Sequence, residues 1–249
     1  GMDGIEADAE LLSVMVSLFR SVGLTSEDVV IKISSRKVLE EVLGALGIVG
    51  ESFAKTCVIV DKMDKLPTEA IATQLSDLGL DDDSISTIQS VLGITNLSDL
   101  GGSLDAGSTA SSELESLFSL IDSYGISDWV QFDASIVRGL AYYTGPVFEA
   151  HDRSGNLRAI CGGGRYDKLI GTLGGKDLPA TGFGFGDMVI IELLSDKGLL
   201  PDISSRVSDV VFCMDESLRG AAMSVSSKLR ESGRKVDLVL ESKKMKWVF

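Results

Sequence analysis

Two hydrophobic periods alternate along this chain, and the alternation limits what it can fold into. Leu11, Leu12, Met15, Val16, Phe19 and Val22 recur at helical spacing, with Gly23 placed to end the helix. Val29-Val30-Ile31-Lys32-Ile33 then reads as a strand, and Ser35 opens a second helix striped by Val38, Leu39, Val42, Leu43 and Leu46. The opening is thus an α/β alternation, in which each helix buries one face.

From about Glu51 to Ser112 the pattern changes to short amphipathic segments, around Ile71, Leu75 and Leu78 and then Ile85, Ile88 and Leu92. These predict a small helical insertion. Cys57-Val58-Ile59-Val60 fits either a strand or a buried helix, because periodicity cannot separate the two over so short a run. Gly101 to Ser112, rich in Gly, Ser, Ala and Asp, is the best internal linker. After a helix carrying Leu114, Leu117, Phe118 and Ile121, three strands are expected: Val130 to Ile136, Val147 to His151 and Leu157 to Cys161. Met188 to Leu200 reads as helix. A β-α-β unit follows, from Val210-Val211-Phe212 through a helix near Leu218–Leu229 to Val236–Leu240, so a second domain is expected from about Asp202.

Composition narrows the function classes. A content of 44% hydrophobic residues in 249 is enough for one or two cored domains. A net charge of −14 argues against a surface that attracts nucleic acid along its whole length, so any RNA contact must be local or lie outside these residues. Cys57, Cys161 and Cys213 are far apart and in no metal-ligand spacing, which suits buried structural thiols in a reducing compartment. No apolar run approaches the roughly 18 to 20 residues a bilayer needs. Gly1-Met2 looks like a cloning scar, and Lys246-Trp247-Val248-Phe249 stops inside an element. A piece of a longer chain is expected, with any transit peptide out of view.

The chemistry concentrates in three blocks: Arg138-Gly139-Leu140-Ala141-Tyr142-Tyr143-Thr144-Gly145, Gly162-Gly163-Gly164-Arg165-Tyr166-Asp167, and Gly182-Phe183-Gly184-Phe185-Gly186. A guanidinium beside phenols suits a small ligand carrying both an anion and a polar ring. Glycines let ligand or backbone approach where a Cβ would clash. On a regular strand only one of Tyr142 and Tyr143 points into a pocket. Each block alone has a plainer reading: tyrosines as packing, Gly162 to Gly164 as a turn, and Glu149, Asp152 and Asp167 as structural carboxylates. Gly182 to Gly186 lacks the spacing of a dinucleotide fingerprint. His151, the only histidine, offers neither a metal cluster nor a nucleophile-base pair.

In their order and spacing, however, the blocks resemble the histidyl-tRNA synthetase family. The resemblance runs from Ala7-Asp8-Ala9-Glu10 through Asp61-Lys62-Met63-Asp64-Lys65 to Val236-Asp237-Leu238-Val239, nearly the whole chain, and is nearest the plant and organellar branch. It implies an α+β fold of the class II synthetase type, an antiparallel sheet flanked by helices. The catalytic domain would occupy 1–50 and 113–201, a helical insertion 51–112, and the truncated start of an α/β anticodon-binding domain 202–249. The implied activity is that of a histidine–tRNA ligase, which activates L-histidine with ATP as substrate, Mg2+ accompanying it, and then charges tRNA(His). The resemblance makes Arg138 the catalytic arginine, set against the α-phosphate and the histidine carboxylate. Tyr143 and Tyr166 would form the imidazole pocket with Tyr142, and Gly163, Gly164, Gly182, Gly184 and Gly186 would line the pocket and the adenylate; no metal ligand is assigned. A homodimer is implied for the full-length protein, in the cytoplasm or an organelle (chloroplast or mitochondrion), with no membrane association.

Two departures qualify the resemblance. The third class motif, Gly-x-Gly-x-x-Arg, places Val189 where the adenine-stacking arginine belongs. The first two motifs, which grip ATP, would precede Gly1, so these residues alone are expected to be inactive. The rival readings are a catalytically inactive synthetase-like protein, regulatory or tRNA-sensing, and a generic α/β ligand-binding module.

Overall fold

The computed structural model describes residues 1–62, 66–104, 107–137, 142–201, 207–241 and 246. The chain divides into two compact units, Gly1–Leu200 and Pro201–Phe249. In the first, helix α1 (Glu6–Ser21) leads to β1 (Val29–Ser35) and α2 (Arg36–Ala45). Short helices α3 (Gly50–Val60), α4 (Thr68–Asp77), α5 (Asp82–Leu92) and α6 (Leu97–Leu100) come next, then α7 (Thr109–Ser123). Strands β2 (Val130–Phe132), β3 (Pro146–Asp152) and β4 (Cys161–Arg165) follow, then α8 (Leu169–Thr172), β5 (Thr181–Phe185) and α9 (Asp187–Asp196).

Among the described residues these strands form a five-stranded sheet in the order β2-β1-β3-β4-β5. Only β1 and β2 run parallel; the other pairings are antiparallel. Pairing partners share a face, so the register assigns every strand residue to one of two surfaces. One surface carries Ile31, Ala150 and Cys161 and, a row away, Ile33, Phe148, Gly163 and Phe183. The helices lie against it: Leu12, Met15 and Phe19 of α1, Val38 and Leu43 of α2, Leu114 and Leu117 of α7 and Leu193 of α9 belong to the same buried core. Phe19 and Phe148 are fully buried in it, each adding roughly 1.5 to 3 kcal/mol by leaving water. The opposite face carries Lys32, Glu149, Gly162 and Gly184 in one row and Ser34, Val147, Gly164 and Gly182 in the next.

Helix boundaries follow local chemistry. The Ser35 side chain accepts from the Lys37 amide at the start of α2, as the sequence predicts, and Gly23 ends the first helical stretch with φ +87°. Cys57 to Val60, ambiguous in sequence, is helical within α3. Cys57, Val60, Ile88, Val91 and Leu92 enter the main core, whereas Ile71, Leu75 and Ile85 form a smaller core of their own. Burial pushes the Cys57 thiol up to about 11, consistent with an inert packing cysteine.

Three sequence expectations need correction. The strand expected from Leu157 to Cys161 begins only at Cys161 and runs through the glycines to Arg165, so Gly162 to Gly164 is strand and not turn. The strand expected from Val130 to Ile136 stops at Phe132, where Asp133 turns the chain: its carboxylate accepts from the Ser135 amide and pairs with Lys32 at 2.8 Å. Tyr142 lies in a turn, so the strand rule that would separate it from Tyr143 does not apply.

In the second unit, β6 (Asp209–Val211), α10 (Arg219–Glu231) and β7 (Val236–Leu238) make a right-sized β-α-β unit with β6 and β7 parallel. Among the described residues no helix is long and apolar enough to cross a membrane.

Candidate functional site

Three phenol rings gather on the open side of the sheet. Tyr142 and Tyr143 have centroids 4.7 Å apart, Tyr166 lies 5.9 Å from Tyr142 edge-on, and Tyr143 and Tyr166 are 6.5 Å apart. Such tilted and edge-to-face pairs satisfy the ring quadrupoles. Ile136 and Val147 pack with them in a cluster separate from the main core. Tyr143 is buried at 5% exposure, while Tyr142 and Tyr166 are half-buried and keep access from outside.

Glycine makes room for the rings. A Cβ on Gly164 would lie 2.5 Å from the Pro146 carbonyl oxygen and 3.0 Å from Tyr143 Cδ1, and one on Gly182 would lie 2.5 Å from the Tyr166 hydroxyl. Gly162 pairs with Gly184 and Gly164 with Gly182, so four glycines on two neighbouring strands pave one face with bare backbone. A Cβ on Gly184 would meet nothing within 4 Å. Gly163 belongs to the other surface, where a Cβ would meet the Gly182 carbonyl oxygen at 2.1 Å, and Gly186 is the N-cap residue of α9. The structure therefore brings Tyr142, Tyr143, Tyr166, Gly164, Gly182 and Gly184 to one face and sets Gly163 and Gly186 apart. Arg138, with Gly139, Leu140 and Ala141, lies outside the described residues, as does the 63–65 part of the Asp61-Lys62-Met63-Asp64-Lys65 signature.

The two tyrosine-bearing segments are held side by side. The Thr144 amide donates to the Arg165 carbonyl at 2.8 Å, and the Thr144 hydroxyl is shared with Asp167. Arg165, which sequence reasoning passed over within its own block, is 4% exposed and forks onto Asp8 of α1, with Nε 2.9 Å and Nη2 2.6 Å from Oδ2. It also donates to the carbonyls of Met2 and Gly4 and meets Asp167 at 3.2 Å. Burial pushes the Asp8 carboxyl up while the guanidinium opposes it. Asp8 in the first turn of α1 was the available signal: an acid on the buried side of an amphipathic helix calls for a cation.

The remaining polar groups of the open face sit farther along. His151 Nε2 lies 3.1 Å from Glu149 Oε2. Asp152, on the core side, accepts from Ser154 and from the amides of Asn156 and Leu157. A cavity of about 370 Å³ beside α2 and α5 shares no residue with the tyrosine cluster. Its one carboxylate among the described residues, Glu41, is engaged by Ser108, Thr109 and the Ala110 amide at the start of α7. Val189, at the place of the motif arginine, packs against the main core.

A largely antiparallel sheet, helices on one face and a glycine-paved open face with a ring cluster at its edge are the fold of the class II aminoacyl-tRNA synthetases. The family model described as histidyl-tRNA synthetase matches residues 1–187. The chain is 50% identical over 249 residues to the chloroplastic/mitochondrial histidine–tRNA ligase of Arabidopsis thaliana, covering 100% of itself and 51% of that relative. It is 35% identical over 254 residues to the histidine–tRNA ligase of Pyrococcus furiosus, covering 58% of it. The crystal structure of histidyl-tRNA synthetase from Nostoc sp. PCC 7120 superimposes with a TM-score of 0.72 at 27% identity, over 100% of this chain and 60% of that one. The chain belongs to the histidyl-tRNA synthetase family. It spans about half the length of the curated relatives it matches.

Proposed function

We propose that the protein carrying these residues activates histidine with ATP and transfers it to tRNA(His). The observation that carries this reading is the three-tyrosine cluster at the edge of the glycine-paved face. Phenols both donate and accept, so Tyr143 and Tyr166 can bond the two nitrogens of an imidazole whichever carries the proton, with Tyr142 closing the pocket. A site built to hydrogen-bond a polar ring rejects amino acids that lack one. Gly164, Gly182 and Gly184 leave the adenylate free to lie close against the sheet. Arg138, where the resemblance places the catalytic arginine, would stabilise the charge that develops as the histidine carboxylate attacks the α-phosphorus. Mg2+ would enter with the triphosphate.

The same reading assigns α3 to α6 to the family's insertion and β6 to β7 to the start of its anticodon-binding domain. It takes the full-length protein to be a homodimer working in an organelle or the cytoplasm. With Val189 turned to the core, adenine must be held by other groups than the usual arginine. ATP-gripping residues are expected beyond this half, so residues 1–249 alone should form no adenylate.

The test is histidine-dependent exchange of pyrophosphate into ATP by the full-length protein. Turnover should be present, and Tyr143→Phe or Tyr166→Phe should weaken histidine binding by about 1 to 3 kcal/mol with little change for ATP. Unchanged histidine binding in both variants would remove the pocket assignment. Histidine binding without exchange would favour the non-catalytic, regulatory reading, which the missing motif arginine alone supports.

A further inference from the structure

We propose that Arg36 is a positioning residue, linking helix α3 to the segment that carries the pocket tyrosines; the proposal rests on the histidine-binding reading of that pocket. Arg36 follows β1 directly and is the first residue of α2. Its amide donates to the Gly145 carbonyl at 2.9 Å, and Gly145 closes the stretch Tyr142-Tyr143-Thr144-Gly145. Its side chain, on a residue 4% exposed, lies over the ring of Phe53 in α3 with Cζ 5.2 Å from the centroid.

A buried guanidinium is costly unless its donors are met. Nη1 of Arg36 is buried with no hydrogen-bond partner among the described residues. Glu40, one turn along α2, makes no ion pair with Arg36 among the described residues, and burial pushes its carboxyl up against the pull of Arg36, Lys37 and Lys168. Among the described residues the contact left to orient the fork is the face of Phe53, and a desolvated cation over a ring is where such a contact is strongest. A residue kept at this cost at the junction of strand, helix and pocket segment is placed there for geometry.

The other end of the same segment is tied to the helices too. The Ala134 amide donates to the Ile94 carbonyl at 3.0 Å, just beyond α5, while the Asp133 amide holds Ile33 of β1 at 2.9 Å. Residues 134 to 145 are therefore anchored at one end through Ile94 and at the other through Arg36 and Phe53. That span contains Arg138, Tyr142 and Tyr143 in sequence. A shift of α3 and α5 relative to β1 reaches both anchors, which gives whatever binds those helices a physical route to the histidine pocket.

The experiment compares full-length wild type with Arg36→Met, Phe53→Leu, the double variant, and Phe53→Tyr, which keeps the ring. Histidine dissociation constant, ATP KM, melting temperature and amide exchange over residues 142 to 145 are read for each. Each single variant should raise the histidine dissociation constant about tenfold, with ATP KM within about twofold. The double variant should be no worse than the weaker single, because both cut one link, and Phe53→Tyr should bind like wild type. Exchange at Thr144 and Gly145 should quicken in the first three variants. Lower melting temperatures with unchanged histidine affinity and exchange would mean Arg36 only supports the fold, and additive losses would break the link between the two residues. Should wild type itself fail to bind histidine, the pocket reading falls, and the exchange rates still decide whether Arg36 positions the segment.

Discussion

Thr144 and Asp167 hold each other from both directions: the threonine hydroxyl donates to Asp167 Oδ2 at 3.0 Å and accepts from the Asp167 amide at 3.1 Å. Asp167 also accepts from the Ala180 amide at 3.3 Å, so one carboxylate gathers three segments around the tyrosine cluster. Thr144→Val keeps the shape and removes the hydroxyl. It should lower stability by about 1 to 2 kcal/mol, leaving the Asp167 amide unmet, and weaken histidine binding alongside. Urea unfolding and histidine titration of the full-length protein measure both, and a silent variant would mean the segments are fixed elsewhere.

The glycines of β4 and β5 should separate by what lies beside them. Gly163→Ala and Gly164→Ala force a methyl into backbone oxygen at 2.1 and 2.5 Å, and should cost about 1 to 3 kcal/mol or more in stability. Gly184→Ala has open space and should leave the melting temperature almost unchanged while impairing adenylate formation. If it changed neither, the paved face would not be where the nucleotide lies.

Arg165→Met removes a cation that Asp8 has no way to replace. Losing one member of a buried pair typically costs about 3 to 5 kcal/mol. The double change Arg165→Met with Asp8→Leu should recover a good part of that, as charge and counter-charge leave together. Chemical denaturation of the four proteins gives the cycle, and no recovery in the double variant would place Arg165's importance outside this pair.

Asp152 gives a pH signature. Burial raises its carboxyl, but hydrogen bonds from Ser154 and from the amides of Asn156 and Leu157 outweigh it and hold the group below its ordinary value of 3.8. A depressed folded-state value means stability that is complete above the unfolded value and lost as pH falls through the folded one. Asp152→Asn should therefore be less stable than wild type by about 1 to 2 kcal/mol at neutral pH. The gap should close in acid below that ordinary value, as followed by melting temperature against pH. A gap independent of pH would assign the loss to shape and not to charge.

Long periodic stretches were legible in sequence: the stripe Leu12-Met15-Val16-Phe19, the strand from Val29 and the cap at Ser35 all took the form their spacing predicts. The glycine run at 162–164 was not, because local preference reads consecutive glycines as a turn. Here flanking strands on both sides supply a full ladder that overrides it. Tyr142 and Tyr143 were legible as a pair but not as two rings in tilted contact, since the turn that brings them together is held by Thr144, Arg165 and Asp167, far apart in sequence. Arg165 was hidden for the same reason: its partner lies at Asp8.

The paved face has a thermal consequence. A surface built of side chains must surrender rotamer freedom when a ligand settles on it, and each long chain so frozen opposes binding. Gly162, Gly164, Gly182 and Gly184 have no rotamers, and their backbones are already locked into the ladder. The floor's ordering was completed when the chain folded, so a ligand settling there would freeze no side chain of these four glycines, and the rotamer entropy lost on binding would fall to the tyrosine rim.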